Sequence, residues 1–331
     1  MKLYNLNLRL FAGNTNVTTD TGLSDEMKTY YSDYLIDNAE PYLVHDQFGQ
    51  KHPIPKNGGK TIEFRKYSPL AKALTPLTEG VTPDGQKLEM SVITATVAQY
   101  GGYIELSDVL LLTAIDNNLV MATQLLASQA GRTLDTITRE VLQGGTNVMY
   151  ANGKLSRAAL SYTSADNNDC ATVDGLRRCV RALKIQNAGL INGTFVAIVH
   201  PDVSYDIMSD PKWVNVKTYS DPDGIYEGEI GKIENIRFVE TTEAKVYKDA
   251  GASGRDVYGT LILGSNAYGV TEVTGGGLEH IVKQLGSAGT ADPLNQRATA
   301  GWKAIKVAER LVEQFMVRYE TVSSYDDAPE N

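Results

Sequence analysis

Residues 116–145 read DNNLVMATQLLASQAGRTLDTITREVLQGG. Apolar side chains recur at Leu119, Ala122, Leu126, Ala130, Leu134, Ile137 and Val141, in steps of three and four, which is one face of an α-helix. Asp116 or Asn118 can cap its start, and Gly144–Gly145 predicts a left-handed turn at its end. Roughly 25 residues at 1.5 Å each give a rod of about 37 Å. Arg132, Asp135, Arg139 and Glu140 fall on the other face, expected to carry mixed charge. A helix of this length spans a whole domain, so the remaining elements are read relative to it.

Immediately before it, residues 58–105 alternate like strands around an irregular tip. TIEFRKY (61–67) has strand periodicity, and LEMSVITATVAQYGGYIEL (88–106) is rich in β-branched residues. Between them stand Pro69, Pro76, Gly80, Pro83 and Gly85, which exclude helix and central sheet. The apolar phase shifts between Val92 and Ile93, which predicts a bulge or a twist. The simplest arrangement is a long two-stranded excursion. An isolated hairpin is marginal in water, so this one needs a surface outside its own domain.

Residues 1–57 read as an arm. Leu6, Leu8 and Leu10 alternate, Leu23–Asn38 is a short helix, and Asp46–Gly59 is extended around Pro53 and Pro55. Asn5, Asn7 and Arg9 argue against a signal peptide. Residues 146–295 alternate strands and helices. Helices are expected at Val173–Gln186, with Leu176, Val180, Leu183 and Ile185 inward, and from Pro201. Strands are expected at Thr194–His200, Ile236–Thr242, Gly259–Leu263 and Glu279–Leu285. Residues 300–323 read as a helical turn or bent strand at Ala304–Ala308, followed by a long strand from Leu311. The acidic tail from Asp326 is expected to fray.

The chain has 331 residues, 42% hydrophobic and 21% charged, with a formal net charge of −9. That balance suits a soluble globular protein and disfavours a general nucleic-acid binder. Eighteen tyrosines against two tryptophans and six phenylalanines suit surfaces that become buried on association. Cys170 and Cys179 are too few for a disulfide framework and read as reduced thiols. No run approaches 18 apolar residues, so no membrane partner is expected.

Motifs for chemistry are missing. Gly59–Lys60–Thr61 lacks the earlier glycine and the following helix of a phosphate loop, since Ile54 occupies the glycine position. Asp221, Asp223, Glu227 and Glu229 depart from calcium-loop spacing at Pro222 and Gly224. His45, His52, His200 and His280 are dispersed, with His200 expected in a turn. No catalytic residue, cofactor or metal is expected.

Several stretches carry a resemblance: GGKTIEFRKYSPL (58–70), LTPLTEGVTPDG (74–85), ITATVAQYG (93–101), SQAGRTLDTITREVLQGGTNVMYANG (128–153), HPDVSYDIMSDPKW (200–213) and GEIGKIENIRFVETTEA (228–244). The chain resembles the major capsid proteins of tailed bacteriophages, in the branch typified by podovirus N4. The resemblance implies the α+β fold shared by tailed-phage and herpesvirus shells. Its parts would be an N-terminal arm (1–57), an extended β-hairpin loop (58–105), a peripheral domain (106–150 and 296–323), an axial domain (151–295) and an acidic tail (324–331). The peripheral domain would contain the spine helix, with Leu126, Ala130, Leu134, Ile137 and Val141 as its core face.

The implied function is a non-enzymatic head protein of the virion. It would self-assemble through pentamers and hexamers, in the host cytoplasm, into an icosahedral shell enclosing DNA. Arg65, Tyr67, Leu70, Leu74, Leu77, Val81, Leu88 and Met90 would contact the neighbouring subunit. Further implied partners are a separate scaffolding protein, a portal at one vertex and a decoration protein. Lys72 near the hairpin tip is not assigned a covalent cross-link. Two other readings are a cellular nanocompartment shell of the same fold, and a mixed α/β enzyme using His200, Asp202 and Asp206.

Overall fold

In the computed structural model, residues 15–16, 44–53, 60–67, 70–77, 79–82, 84–113, 118–164, 168–213, 229–233, 235–271, 278–287 and 292–326 are described. The spine helix runs from Asn118 to Gln143, 26 residues and about 39 Å. It joins three apolar clusters. Ala122 packs with Leu106 and Leu110. Leu126, Ala130 and Leu134 pack with Ala300, Trp302 and Ala304, with Ile137 partly buried alongside. Leu142 lies with Ile198, Leu261 and Leu263, and Val141 is partly buried there. Of the face from Leu119 to Val141, Ala122, Leu126, Ala130 and Leu134 are buried and Ile137 and Val141 partly so, while the Leu119 side chain lies outside the described residues.

Two sheets flank this helix. In the four-stranded sheet, Arg297–Lys306 pairs antiparallel with Ala98–Ser107 over ten positions, from Arg297 opposite Ser107 to Lys306 opposite Ala98. Leu278–Lys283 adds to its other side, and Thr15–Asn16 joins parallel at Glu105 and Leu106. The seven-stranded sheet runs Val148–Tyr150, Met316–Thr321, Val257–Leu263, Phe195–Val199, Ile236–Glu240, Glu229–Ile233, with Val246–Tyr247 also pairing on Val257–Leu263. Every residue of Phe195–Val199 and Val257–Leu263 is buried. Strands covered on both faces read as continuous apolar runs, as FVAIV does. Ala308–Arg310, Tyr268–Thr271 and Gln50–His52 form a small third sheet.

Helix Val173–Ile185 covers the large sheet. Thr172 caps it by accepting from Gly175 N, and Asp174 stands in its first turn. Its buried residues are Val173, Leu176, Cys179, Val180 and Leu183. Ile185, expected inward, is exposed on the last turn, and Cys179 fills the inner stripe instead. Helix Pro201–Ser209 starts from His200 as N-cap, with Pro201 in its first turn, where a missing N–H costs nothing.

Several expectations are corrected. Gly144 and Gly145 do not adopt a left-handed turn. The ends of two side chains, Arg310 Nη1 and Glu313 Oε1, lie 2.8 and 3.0 Å from where the glycines' Cβ atoms would be. Asp135 and Arg139 are buried rather than on a solvated face; Asp135 meets His45, and Arg139 donates to Glu243 O at 2.7 Å. The hairpin ladder runs from Thr61–Thr96 to Tyr67–Met90 without a bulge, so the apolar run at Val92–Ile93 divides between its two faces.

The long strand expected from Leu311 is interrupted by a 3₁₀ turn at Glu313–Phe315 before Met316–Thr321. The segment from Asp46 turns before Gln50–His52 instead of running extended. Asp326 accepts from Asp256 N at 2.9 Å rather than fraying. Sheet membership also cuts across the expected boundary at 295/296: Met316–Thr321 lies within the sheet of the 195–263 strands, and Leu278–Lys283 pairs with Arg297–Lys306. The strand at Leu6–Leu10, the helix at Leu23–Asn38, the Asp116 cap, the acidic loop 221–228 and the tail beyond Asp326 lie outside the described residues.

Candidate functional site

The hairpin is buried at its root and bare at its end. Ile62, Phe64 and Ala95 are buried, with Ile93, Val97, Val307 and Leu311 packed against them. Phe64 meets the His52 ring edge-on at 4.8 Å. Its ring lies 2.5 Å from where a Cβ of Gly269 would be, so only glycine admits it. Val97 N donates to Lys60 O at 2.9 Å and closes the root.

Beyond Tyr67 and Met90 the ladder stops. Leu70, Leu74, Leu77, Val81, Leu88 and Met90 are all exposed, Leu74 at 81% and Leu77 at 77%. Arg65 is exposed as well, with Glu63 at 3.9 Å. Tyr67 ends its strand, and its side chain lies outside the described residues. Within the tip, Leu74 N donates to Lys72 O at 3.1 Å and Gln86 Nε2 donates to Ala71 O at 3.1 Å. Burying a leucine-sized side chain contributes about 1.5–3 kcal/mol, so six would give about 9–18 kcal/mol before association costs.

The residues considered for catalysis are used elsewhere. His200 Nδ1 accepts from Asp202 N at 3.3 Å as a helix cap. Asp202 accepts from the Tyr258 hydroxyl at 2.7 Å. Asp206 accepts from Ser324 N at 3.0 Å and from its hydroxyl at 2.5 Å. Burial pushes the His200 pKa down, opposed by the Asp202 and Glu240 charges. Cys170 and Cys179 are free and buried. Burial pushes the Cys179 thiol up to about 12 and raises Cys170 as well, with Asp206 adding to the shift. Among the described residues no His, Cys, Asp and Glu group has the makings of a metal site, and no helix is long and apolar enough to cross a membrane.

Sequence reasoning missed a polar knot behind the hairpin root. Asp46 accepts from the Thr138 hydroxyl at 2.6 Å and pairs with the Lys306 ammonium. No motif signals this, because its members are separated by 92 and 260 residues.

Similarity to known proteins agrees with this architecture. The family model described as phage capsid protein matches residues 91–308, more than half of the chain. Among curated proteins none matches. The capsid of Ralstonia phage GP4 is 15% identical, with 96% of this chain and 100% of that one covered, at a TM-score of 0.72. The capsid of cyanophage P-SCSP1u is 13% identical, with 95% and 98% covered, at a TM-score of 0.65. The acid-stable capsid of Helicobacter pylori bacteriophage KHP30 is 9% identical, with 97% and 99% covered, at a TM-score of 0.59. At these identities the likeness is one of fold.

Proposed function

Since the chain belongs to the phage capsid protein family and is a major capsid shell protein of the virion, we propose that it closes its shell by laying the hairpin tip of each copy across the next. Arg65, Leu70, Leu74, Leu77, Val81, Leu88 and Met90 make that contact, together with Tyr67. The observation that carries this reading is the contrast between a hairpin root sealed around Phe64 and a tip whose leucines are bare in a single copy. Backbone edges and apolar tips then act together, and closure makes many modest contacts cooperative.

The rings so formed are pentamers and hexamers, and the product is an icosahedral container for DNA assembled in the host cytoplasm. A separate scaffolding protein guides it, a portal occupies one vertex, and a decoration protein can bind outside. The protein has no catalytic role. The quoted stretches from Gly58 to Ala244 support its place in the N4-like branch. Negative-stain microscopy of the expressed chain, alone and with its scaffold, tests the proposal. Rings or shells are expected, and a monodisperse monomer at high concentration in both preparations overturns it.

A further inference from the structure

The outer edge of helix Val173–Ile185 is a row of cations. Arg177, Arg178, Arg181 and Lys184 are all exposed. At 100° per residue Arg177, Arg181 and Lys184 share an arc of about 60°, and they span about 10 Å of helix axis. With Val180 and Ile185 they line a groove of about 340 Å³. Asp174, in the first turn, is occupied by Lys212 and by Arg177 at 3.4 Å. Among the described residues no ion pair engages Arg178, Arg181 or Lys184.

This is a local reversal in a chain of net charge −9. Charges are screened beyond about 8–10 Å in physiological salt, so a partner at this edge meets the row rather than the molecular average. Three of the four cations are arginines, whose planar forks match phosphate oxygens two at a time. The apolar part of the lining is the exposed Ile185 at one end and Val180, which is 4% exposed, at the floor, so cations make up most of what a partner would meet. No aromatic side chain lines the groove, which leaves nothing for bases to stack on.

We propose that this edge is a sequence-independent contact for the phosphate backbone of duplex DNA. The inference rests on the reading of the chain as a shell around DNA, and it adds the residues through which a mostly acidic container holds its cargo at discrete points. Backbone contacts of this kind carry no sequence information.

The test measures binding of a random-sequence DNA duplex to the full-length chain between 50 and 200 mM salt, by fluorescence anisotropy. The triple variant Arg178→Ala, Arg181→Ala, Lys184→Ala is compared with a charge-matched control, Lys51→Ala, Lys60→Ala, Lys283→Ala, and with Arg178→Lys, Arg181→Lys. Each phosphate contact contributes about 0.9 to the slope of log K on log salt. The triple variant is expected to lower that slope by about 2–3 and to bind at least tenfold more weakly at 50 mM, while the control and the lysine variant keep the wild-type slope. Wild-type binding by the triple variant overturns the proposal. So does a triple variant that stops forming shells but binds duplex normally, which assigns the edge to a protein neighbour. Shell formation is scored separately by microscopy, so wild-type chain that binds duplex through this edge but makes no shells counts against the assembly reading alone.

Discussion

The Nδ1 atom of His45 lies 2.7 Å from Oδ2 of Asp135, and the His45 backbone N–H donates to Oδ1 of the same carboxylate at 2.7 Å. Both side chains are 1% exposed. One residue later, Asp46 meets Thr138 of the same helix and Lys306 of the four-stranded sheet. Two consecutive residues thus fasten the segment leading to the hairpin onto both elements beneath it.

The Asp46–Lys306 pair is buried on both sides, so removing one partner strands a charge without solvent. Lys306→Met leaves the Asp46 carboxylate with the Thr138 hydroxyl as its remaining side-chain donor among the described residues. A loss of about 3–5 kcal/mol in unfolding free energy is expected from denaturant titration. Replacing both residues by apolar ones of similar size is expected to recover most of it, because the stranded charge rather than the lost pair carries the penalty.

This knot also marks the limit of what the sequence discloses. The spine helix was legible because Leu126, Ala130 and Leu134 recur on one face, and that period is local. The hairpin was legible because prolines and glycines separate two β-branched runs. Asp135 and Arg139 were misread because a charged residue on a helix is normally solvated; their partners His45 and Glu243 lie 90 and 104 residues away. Gly144 and Gly145 do not take positive φ, and the side chains nearest them, Arg310 and Glu313, come from far along the chain. Local pattern revealed the tip residues as apolar, while their exposure needed the three-dimensional arrangement.

Gly175 offers a test in which propensity and packing oppose each other. Alanine is better than glycine in a helix interior by about 1 kcal/mol. Yet a Cβ at Gly175 would sit 2.0 Å from the hydroxyl oxygen of Tyr319 and 2.6 Å from its ring carbon, in a side chain that is 2% exposed. Gly175→Ala is therefore expected to destabilise by about 1–3 kcal/mol. Adding Tyr319→Phe should recover part of the loss, because the nearest atom is removed. An increase in stability from Gly175→Ala alone would contradict the packing argument.

His200 sets a pH dependence. Its folded pKa is held below the unfolded value near 6.5 by burial. As pH falls through the unfolded value, the unfolded chain takes up a proton that the native cap refuses, so stability declines. The decline begins near pH 6.5 and continues down to the lowered folded pKa. His200→Asn keeps a side-chain oxygen able to cap Asp202 N and removes the titration. Denaturant midpoints measured from pH 8 to pH 5 should fall less steeply in the variant, and parallel curves would refute this role.

The two thiols should be silent in the native protein. Alkylation needs the thiolate, and burial holds Cys179 near 12 and raises Cys170. Iodoacetamide at pH 8 is expected to label neither residue when native and both in denaturant, as read by mass spectrometry. Rapid native labelling of Cys179 would mean that helix Val173–Ile185 opens from its sheet.

The proposed tip contact allows folding to be separated from association. Leu74 and Leu77 are 81% and 77% exposed in the single copy, so Leu74→Asp with Leu77→Asp removes little native burial. Unfolding free energy is expected to stay within about 0.5 kcal/mol of wild type, the usual range for surface changes. In an assembled shell the same carboxylates would have to enter an apolar contact, where an unpaired charge is strongly disfavoured. Shell yield by sedimentation should therefore collapse while the unassembled chain remains folded. Phe64→Ala provides the converse, since it empties the root packed on Gly269 and should cost about 3–5 kcal/mol before any association. Normal shells from the double aspartate variant would show that the tip is not what joins one copy to the next.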